Sequence, residues 1–303
     1  MRYIEMGTRQ VSVVGLGAWQ FGTQEWGYGS EFGRVDVEAI ILRALDLGVN
    51  LIDTAEVYAD GRSEELIGEA VRDQRDRVFL ATKVAQPKAD QAKVIRAASG
   101  SLRRLQMETI DLYQVHSHDP STPQEHTMAG MRELRSEGLI AQVGVSNYSR
   151  KQWQEAEEAL GGPIVANQVE YSLLDRRPEA ELLPFAQDAG RVIIAYSPLA
   201  KGLLSGRYDE DNLPGGVRVG DPTFARDNVR KALPLIEELR VVAAARRVTP
   251  AQVAMAWLLS ASKVVVIPGA KSVAQMEQNA AAADILLTND EWSRLDVLSR
   301  PFL

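Results

Sequence analysis

Short β-rich runs alternate with longer amphipathic stretches along almost all of this 303-residue chain. The sequence GLGAW is counted as the first strand, and the other predicted strands cover 50–54, 77–83, 110–116, 140–147, 164–172, 191–198 and 263–270. Helices are predicted over 37–46, from 63, and over 93–106, 124–137, 150–160, 179–188, 250–260 and 273–283. Eight such pairs in succession favour an α/β fold, a parallel sheet closed into a (β/α)8 TIM barrel.

Three segments lie outside this repeat. RYIEM and VSVVGLG, joined by the turn residues Gly7 and Thr8, predict an N-terminal β-hairpin. The stretches 228–247 and 290–298 predict two additional helices, and the Gly/Pro-rich stretch 201–228 predicts a long functional loop. Asp36 and Ser63 are the expected N-caps of the first two helices. Because no linker is visible, we expect one domain over residues 1–303.

Composition excludes several classes of protein. The chain is 45% apolar and 25% charged, which is typical of globular proteins, and its net charge of −7 has no basic cluster for nucleic acid. The absence of cysteine excludes disulfides, thiolate catalysis and cysteine–zinc sites. Neither a signal peptide nor a run of ~18 apolar residues is present, so we expect a soluble, cytoplasmic protein without a membrane partner.

Four polar residues follow successive predicted strands. Asp53, Lys83 and His116 end the second, third and fourth strands, and Tyr58 lies in the loop after the second. Because the carboxyl ends of barrel strands share one mouth, we expect these side chains to be neighbours. Taken singly, each has an ordinary structural interpretation: Asp53 as a helix cap, Tyr58 as packing, and Lys83 as a solvated strand end. His118 is a rival to His116.

Together these side chains can protonate a carbonyl oxygen while another group delivers a hydride. A tyrosine hydroxyl, with a reference pKa of ~10, is a weak acid at neutral pH. We expect the ammonium of Lys83 to stabilise the phenolate and lower the pKa of Tyr58, with Asp53 holding Lys83. His116 can donate a hydrogen bond that orients the carbonyl.

Seven motifs in order make the chain resemble the aldo-keto reductase family. They are DTAEVYADGRSEELIGEA, ATK, LYQVH, GVSNY, NQVEYSLL, YSPLAKGLLSGRY and IPGAKSVAQMEQN. The resemblance implies a (β/α)8 barrel that binds an extended nicotinamide dinucleotide without a Rossmann motif. It also implies Tyr58 as the acid/base, Lys83 and Asp53 as residues that tune it, and His116 as the residue that orients the substrate.

The resemblance also implies a cofactor site that begins beside Asp53. Ser146, Asn147 and Gln168 match residues that hold the nicotinamide carboxamide, and Tyr196 matches the aromatic residue that stacks on the ring. The remaining implied cofactor residues are Gly17, Ala18, Trp19, Ser197, Pro198, Leu199, Gly202, Leu203, Arg207, Arg218, Gly269, Lys271, Ser272, Gln275, Gln278 and Asn279.

The end of the implied site near Lys271 bears on the choice of dinucleotide. Lys271, Ser272 and Arg218 suit a 2′-phosphate, so NADP(H) is favoured over NAD(H). Some family members carry an arginine where this chain has Gln275, which cannot supply that charge. In the alternative interpretation, Lys271 and Ser272 only cap a helix.

The predicted substrate is a small carbonyl compound. Its pocket is expected to contain Trp19, Trp26, Tyr28, Tyr58 and His116, with loop residues from 117–123 and 204–226. Such a lining suits aldehydes and ketones of mixed polarity. One alternative is an NADP(H)-binding, redox-sensing auxiliary subunit with little turnover, as in potassium-channel β subunits.

A second alternative is a metal-dependent barrel hydrolase or an isomerase. Its only candidate ligands would be His116, His118 and Asp119, all from one loop. We therefore expect no metal site. Broad carbonyl reduction with NADPH remains the favoured hypothesis.

Overall fold

A parallel sheet of eight strands forms the centre of the molecule, in a computed structural model that describes residues 1–87 and 89–303. The strands run in chain order around the sheet, from β3 to β10. They are β3 (Leu16–Gly17), β4 (Leu51–Asp53), β5 (Phe79–Val84), β6 (Ile110–Val115), β7 (Ile140–Ser146), β8 (Ala166–Glu170), β9 (Val192–Tyr196) and β10 (Val264–Val266).

Backbone contacts between the first and last strands close the sheet into a barrel. Val14 bridges Val266 and Gly17 bridges Gly269, both in parallel orientation. The amide of Gly15 donates to the carbonyl of Val266 at 2.8 Å, and the amide of Val266 donates to the carbonyl of Val13 at 2.9 Å. The predicted closure of eight strands is therefore confirmed.

In the described part of the chain, eight α-helices follow the strands on the outside of the barrel. They are α1 (Arg34–Asp46), α2 (Arg62–Ala70), α3 (Gln91–Leu105), α4 (Gln124–Ser136), α5 (Arg150–Leu160), α6 (Leu182–Ala189), α8 (Pro250–Leu258) and α9 (Val273–Ala281). The predicted extra helices are α7 (Arg226–Arg246) and α10 (Asn289–Ser299), which pack against each other. No helix in the described residues is long and apolar enough to cross a membrane.

The N-terminal hairpin closes the amino-terminal end of the barrel. It consists of β1 (Tyr3–Met6) and β2 (Arg9–Ser12), paired antiparallel. Met6 and Val11 are fully buried against an apolar cluster inside the barrel that includes Leu51. Because the hairpin covers this end, the barrel interior opens at the carboxyl ends of the strands.

Both predicted N-caps are wrong. Helix α1 begins at Arg34 after Gly33, and the Asp36 carboxylate accepts a hydrogen bond from the amide of Gly33 at 2.8 Å. Asp36 is thus the third residue of the helix, and its side chain accepts the hydrogen bond from the backbone of the N-cap residue. Ser63 lies inside α2, where its buried hydroxyl donates to the carbonyl of Ala18 at 2.9 Å. It joins α2 to the residue that follows the first barrel strand instead of capping the helix.

Side chains along each barrel strand alternate between the helices and the barrel interior. On β5, Phe79 and Ala81 belong to the interior cluster, whereas Leu80 packs toward the helices. Two residues beyond Ala81, this period places Lys83 inside as well. On β5 the inward positions are therefore apolar near the hairpin and polar at the carboxyl end.

Candidate active site

A cavity of about 720 Å³ opens at the carboxyl ends of the barrel strands. This volume is typical of pockets for small molecules and cofactors. Its lining includes these predicted residues: Gly17, Ala18, Trp19, Trp26, Asp53, Tyr58, His116, Ser146, Asn147, Gln168, Tyr196, Ser197, Pro198, Leu199, Gly202, Arg207, Arg218, Gly269, Lys271, Gln275, Gln278 and Asn279.

Lys83 lies beneath this cavity and is completely buried. Its ammonium donates to Asp53 Oδ1 at 2.6 Å, to the carbonyl of Thr54 at 2.8 Å and to the hydroxyl of Tyr58 at 3.3 Å. An ammonium has three N–H donors, so these partners use all of them. The amine is thereby fixed against the phenol oxygen.

The carboxylate of Asp53 accepts hydrogen bonds from side chains on three other strands, the first of which is Lys83 on β5. Its second oxygen, Oδ2, accepts from the side-chain amides of Gln114 at 3.1 Å and Gln168 at 2.7 Å. Gln114 on β6 was not predicted as a site residue. The signal that could have identified it is a polar side chain at an inward position of a strand, two residues after the buried Leu112.

Tyr58 reaches the ammonium from a short turn with unusual backbone angles. The next residues, Ala59 and Asp60, have φ values of 48° and 53°. Left-handed angles at non-glycine residues cost free energy and persist where the surrounding structure imposes them. The turn places the Tyr58 ring 5.9 Å from the ring of His116, edge to face. Phenol and imidazole therefore meet at one point of the cavity wall.

Burial raises the pKa of Tyr58 above its ordinary value, although the positive charge of Lys83 opposes the shift. The net direction is opposite to our sequence-based expectation, because loss of hydration of the phenolate outweighs the nearby charge. Burial alone would lower the pKa of Lys83. The Asp53 carboxylate and Tyr58 reverse this effect, so the pKa of Lys83 is raised and the amine stays charged.

Burial, with a smaller contribution from the charge of Lys83, lowers the pKa of His116 to about 4. The imidazole is therefore neutral at pH 7 and has one N–H donor. Its backbone is fixed as well, since the His116 amide donates to Val84 and its carbonyl accepts from the Asn147 side chain at 3.2 Å. The rival His118 instead packs on the ring of Tyr148 at 5.6 Å and is absent from the cavity lining.

The residues expected to surround the nicotinamide form one connected polar group. The Asn147 amide donates to Ser146 Oγ at 3.1 Å, and Ser146 Oγ donates to the carbonyl of Gln168 at 2.9 Å. The hydroxyl of Tyr196 donates to Asn147 Oδ1 at 3.0 Å. Burial raises the pKa of this hydroxyl to about 12, which keeps it protonated.

Cationic side chains line the rest of the cavity. Lys201, Arg207, Arg218 and Lys271 all contribute to its wall. The Nε atom of Arg218 is buried and has no hydrogen-bond partner among the described residues. A polyanionic ligand suits this wall, because phosphate oxygens accept from guanidinium and ammonium groups. The donor set thus fits a dinucleotide that extends from Tyr58 towards Lys271.

Besides the buried Lys83 and the loop 117–123, three predicted site residues do not line the cavity. Tyr28 packs edge to face on Phe32 at 5.7 Å, and Leu203 is buried in the outer core. Ser272 is the N-cap of α9 and accepts from the amide of Gln275 at 3.2 Å. The contact observed for Ser272 is therefore the helix cap of the alternative interpretation.

Several lining residues were not predicted. They are Gln20, Val57, Glu170, Lys201, Ala251, Ile267, Pro268 and Ala270, whereas the lining residues Ser205 and Tyr208 belong to the predicted loop 204–226. Most of the unpredicted residues lie next to a predicted residue in the chain, and this adjacency is the sequence signal that could have identified them as lining residues. Among the described residues, no group of three or more His, Asp and Glu side chains could hold a metal ion.

Comparison with known proteins identifies the family. The model of the Aldo/keto reductase family matches residues 13–300. An uncharacterized oxidoreductase of Mycobacterium tuberculosis is 46% identical over 303 residues, covering 100% of this chain and 94% of that protein.

Solved structures agree with this match. An aldo/keto reductase from Klebsiella pneumoniae, in complex with NADP and acetate, has a TM-score of 0.79 and 34% identity, covering 97% of this chain and 93% of that one. A glycerol dehydrogenase from Gluconobacter oxydans has a TM-score of 0.88 and 31% identity, covering 98% and 94%. This chain therefore belongs to the aldo/keto reductase family of oxidoreductases.

Proposed function

We propose that this protein reduces aldehydes and ketones to alcohols with NADPH, reversibly, and that Tyr58 is the general acid. The observation that carries the proposal is the contact of the Tyr58 hydroxyl with the buried Lys83–Asp53 pair, at the wall of a cavity that also has a cationic section. The complex of the Klebsiella relative with NADP supports the choice of cofactor.

The raised pKa of Tyr58 keeps the phenol protonated at pH 7, which is the form needed to reduce a carbonyl. As the carbonyl oxygen gains negative charge, the Tyr58 proton moves to it and a phenolate remains. Lys83, already within hydrogen-bonding distance, stabilises that phenolate. Asp53 keeps the completely buried Lys83 charged. The four groups act as one coupled system.

Neutral His116 donates a hydrogen bond to the carbonyl oxygen and orients it towards Tyr58. Since its pKa is about 4, it does not compete with Tyr58 as a proton donor at neutral pH. Bound NADPH would supply the hydride. Ser146, Asn147 and Gln168 would hold its carboxamide, Tyr196 would stack on its nicotinamide, and the cations along the cavity would hold its phosphates.

The pocket favours carbonyl compounds with an apolar side. The rings of Trp19 and Trp26 meet at 5.2 Å, and the ring of Tyr58 lies 6.5 Å from that of Trp19. Trp19 is 48% exposed, so an aromatic wall faces the entrance while the polar groups lie deeper. A substrate can stack on this wall with its carbonyl directed inward.

The test is NADPH oxidation with para-nitrobenzaldehyde by wild type and Tyr58→Phe, at matched cofactor occupancy. We expect wild type to turn over and Tyr58→Phe to bind NADPH but lose at least ~100-fold in kcat. Equal rates would refute Tyr58 as the acid. Binding of NADPH without turnover of any carbonyl by wild type would refute the reductase and favour an auxiliary, redox-sensing role.

A further inference from the structure

The cation at the far end of the cavity already has an anionic partner. The Lys271 ammonium donates to Glu31 Oε2 at 2.7 Å, across 240 positions of the sequence. The Lys271 side chain is 27% exposed and that of Glu31 is 64% exposed. The Lys271 amide donates to Gln275 Oε1 at 2.8 Å, so backbone and side chain are both fixed. A carboxylate therefore lies where an anionic ligand would meet Lys271.

The position of Glu31 is set by a tight turn, although its side chain is exposed. The Glu31 amide donates to the carbonyl of Gly27 at 2.7 Å, and Gly27 has a φ of 91°. A Cβ atom on Gly27 would come within 2.7 Å of Glu31 Cδ, so the carboxyl group lies directly over this glycine. The missing side chain at Gly27 lets the carboxylate lie against the turn.

A second cation, Arg218, acts on the same carboxylate. The hydrogen bond and charge of Lys271 lower the pKa of Glu31, and the charge of Arg218 adds to the shift. Arg218 lies 5.1 Å from the ring centre of Trp26, which precedes the same turn. Glu31 is thus an anion that pairs with Lys271 and feels the charge of Arg218, the two cations that we assign to the 2′-phosphate.

We propose that Glu31 sets the preference between NADPH and NADH, by binding Lys271 with its own carboxylate and opposing a 2′-phosphate at that place; this inference rests on the proposed cofactor. NADPH must displace the carboxylate or bind beside a like charge. NADH has no 2′-phosphate and leaves the pair intact. Glu31 therefore weakens NADPH binding selectively.

The experiment measures the Kd of NADPH and NADH by quenching of tryptophan fluorescence for wild type, Glu31→Gln and Glu25→Gln. Glu25 is an exposed glutamate of the same loop, so its replacement removes the same charge and leaves the Glu31–Lys271 pair. We expect Glu31→Gln to bind NADPH about fivefold more tightly and to bind NADH with unchanged affinity. A fivefold change corresponds to about 1 kcal/mol, which is the size of an exposed ion pair. Glu25→Gln should bind both like wild type.

Two adenosine ligands isolate the phosphate from the rest of the dinucleotide. Adenosine 2′,5′-bisphosphate should gain the same fivefold in Glu31→Gln, whereas adenosine 5′-monophosphate should not. Equal or weaker NADPH binding by Glu31→Gln, or an equal gain for NADH, would overturn this inference alone. Failure of wild type to bind either dinucleotide would overturn the proposed cofactor and this inference with it.

Discussion

The buried imidazole of His116 makes the stability of this protein depend on pH. Its pKa is about 4 in the folded protein, against an ordinary value of 6.5. One pKa unit corresponds to about 1.36 kcal/mol, so protonating this group costs the folded state about 3 kcal/mol more than the unfolded state. As the pH falls from about 6.5 to 4, the unfolded chain binds a proton that the folded protein does not, and stability is lost. Above pH 6.5 this contribution is constant.

The assay is urea unfolding of wild type and His116→Asn at intervals between pH 7.5 and 4. We expect the difference in free energy of unfolding between the two proteins to change by about 3 kcal/mol, in favour of the variant, between pH 7 and pH 4. Tyr58→Phe keeps His116 and should keep the pH dependence of wild type. A constant difference between wild type and His116→Asn would show that burial does not shift this pKa.

Two further predictions concern the groups around Lys83. Lys83→Met removes the cation that stabilises the phenolate, so we expect NADPH still to bind while kcat falls at least ~100-fold. Fluorescence titration measures the binding of NADPH, and single-turnover reduction measures the rate of the chemical step. An unchanged kcat would refute the role of Lys83. Glu64, fully buried, accepts from Thr82 and from Arg104 at 2.7 Å, so Glu64→Gln should lower the free energy of unfolding by about 3 kcal/mol. Glu65→Gln, which breaks only an exposed pair, should cost under about 1 kcal/mol, and equal losses would refute the buried network.

The barrel could be predicted because its sequence signal is repeated. Eight strand-like runs separated by amphipathic stretches leave few other topologies, and errors of two or three residues at a boundary do not change the count. Convergence of Asp53, Lys83 and His116 followed from the fold, since parallel strands bring their carboxyl ends to one mouth. The N-caps failed because Gly33 and Gly61 precede the helices, and a glycine cap gives a weaker signal than aspartate or serine.

The balance of forces inside the site could not be predicted in the same way. The sequence indicates that a cation lies near Tyr58, but the direction of the pKa shift depends on how much water the fold removes from the hydroxyl. Likewise, Lys271 was expected to be available for a phosphate. Its pairing with Glu31 joins residues 240 positions apart through the shape of one loop, and no local pattern reports that contact.

The position of Asp53 explains how a charged site coexists with an apolar barrel interior. Inward residues such as Leu51 and Phe79 share one apolar cluster with the hairpin residues Met6 and Val11, whereas the inward residues at the carboxyl ends include the polar Lys83, Gln114 and Gln168. There the Asp53 carboxylate accepts from Lys83, Gln114 and Gln168, which come from three other strands. Each donor offsets part of the cost of burying the charge, because a buried carboxylate is tolerated when its oxygens are hydrogen-bonded. The contacts that hold Lys83 against Tyr58 therefore also link the carboxyl ends of four barrel strands.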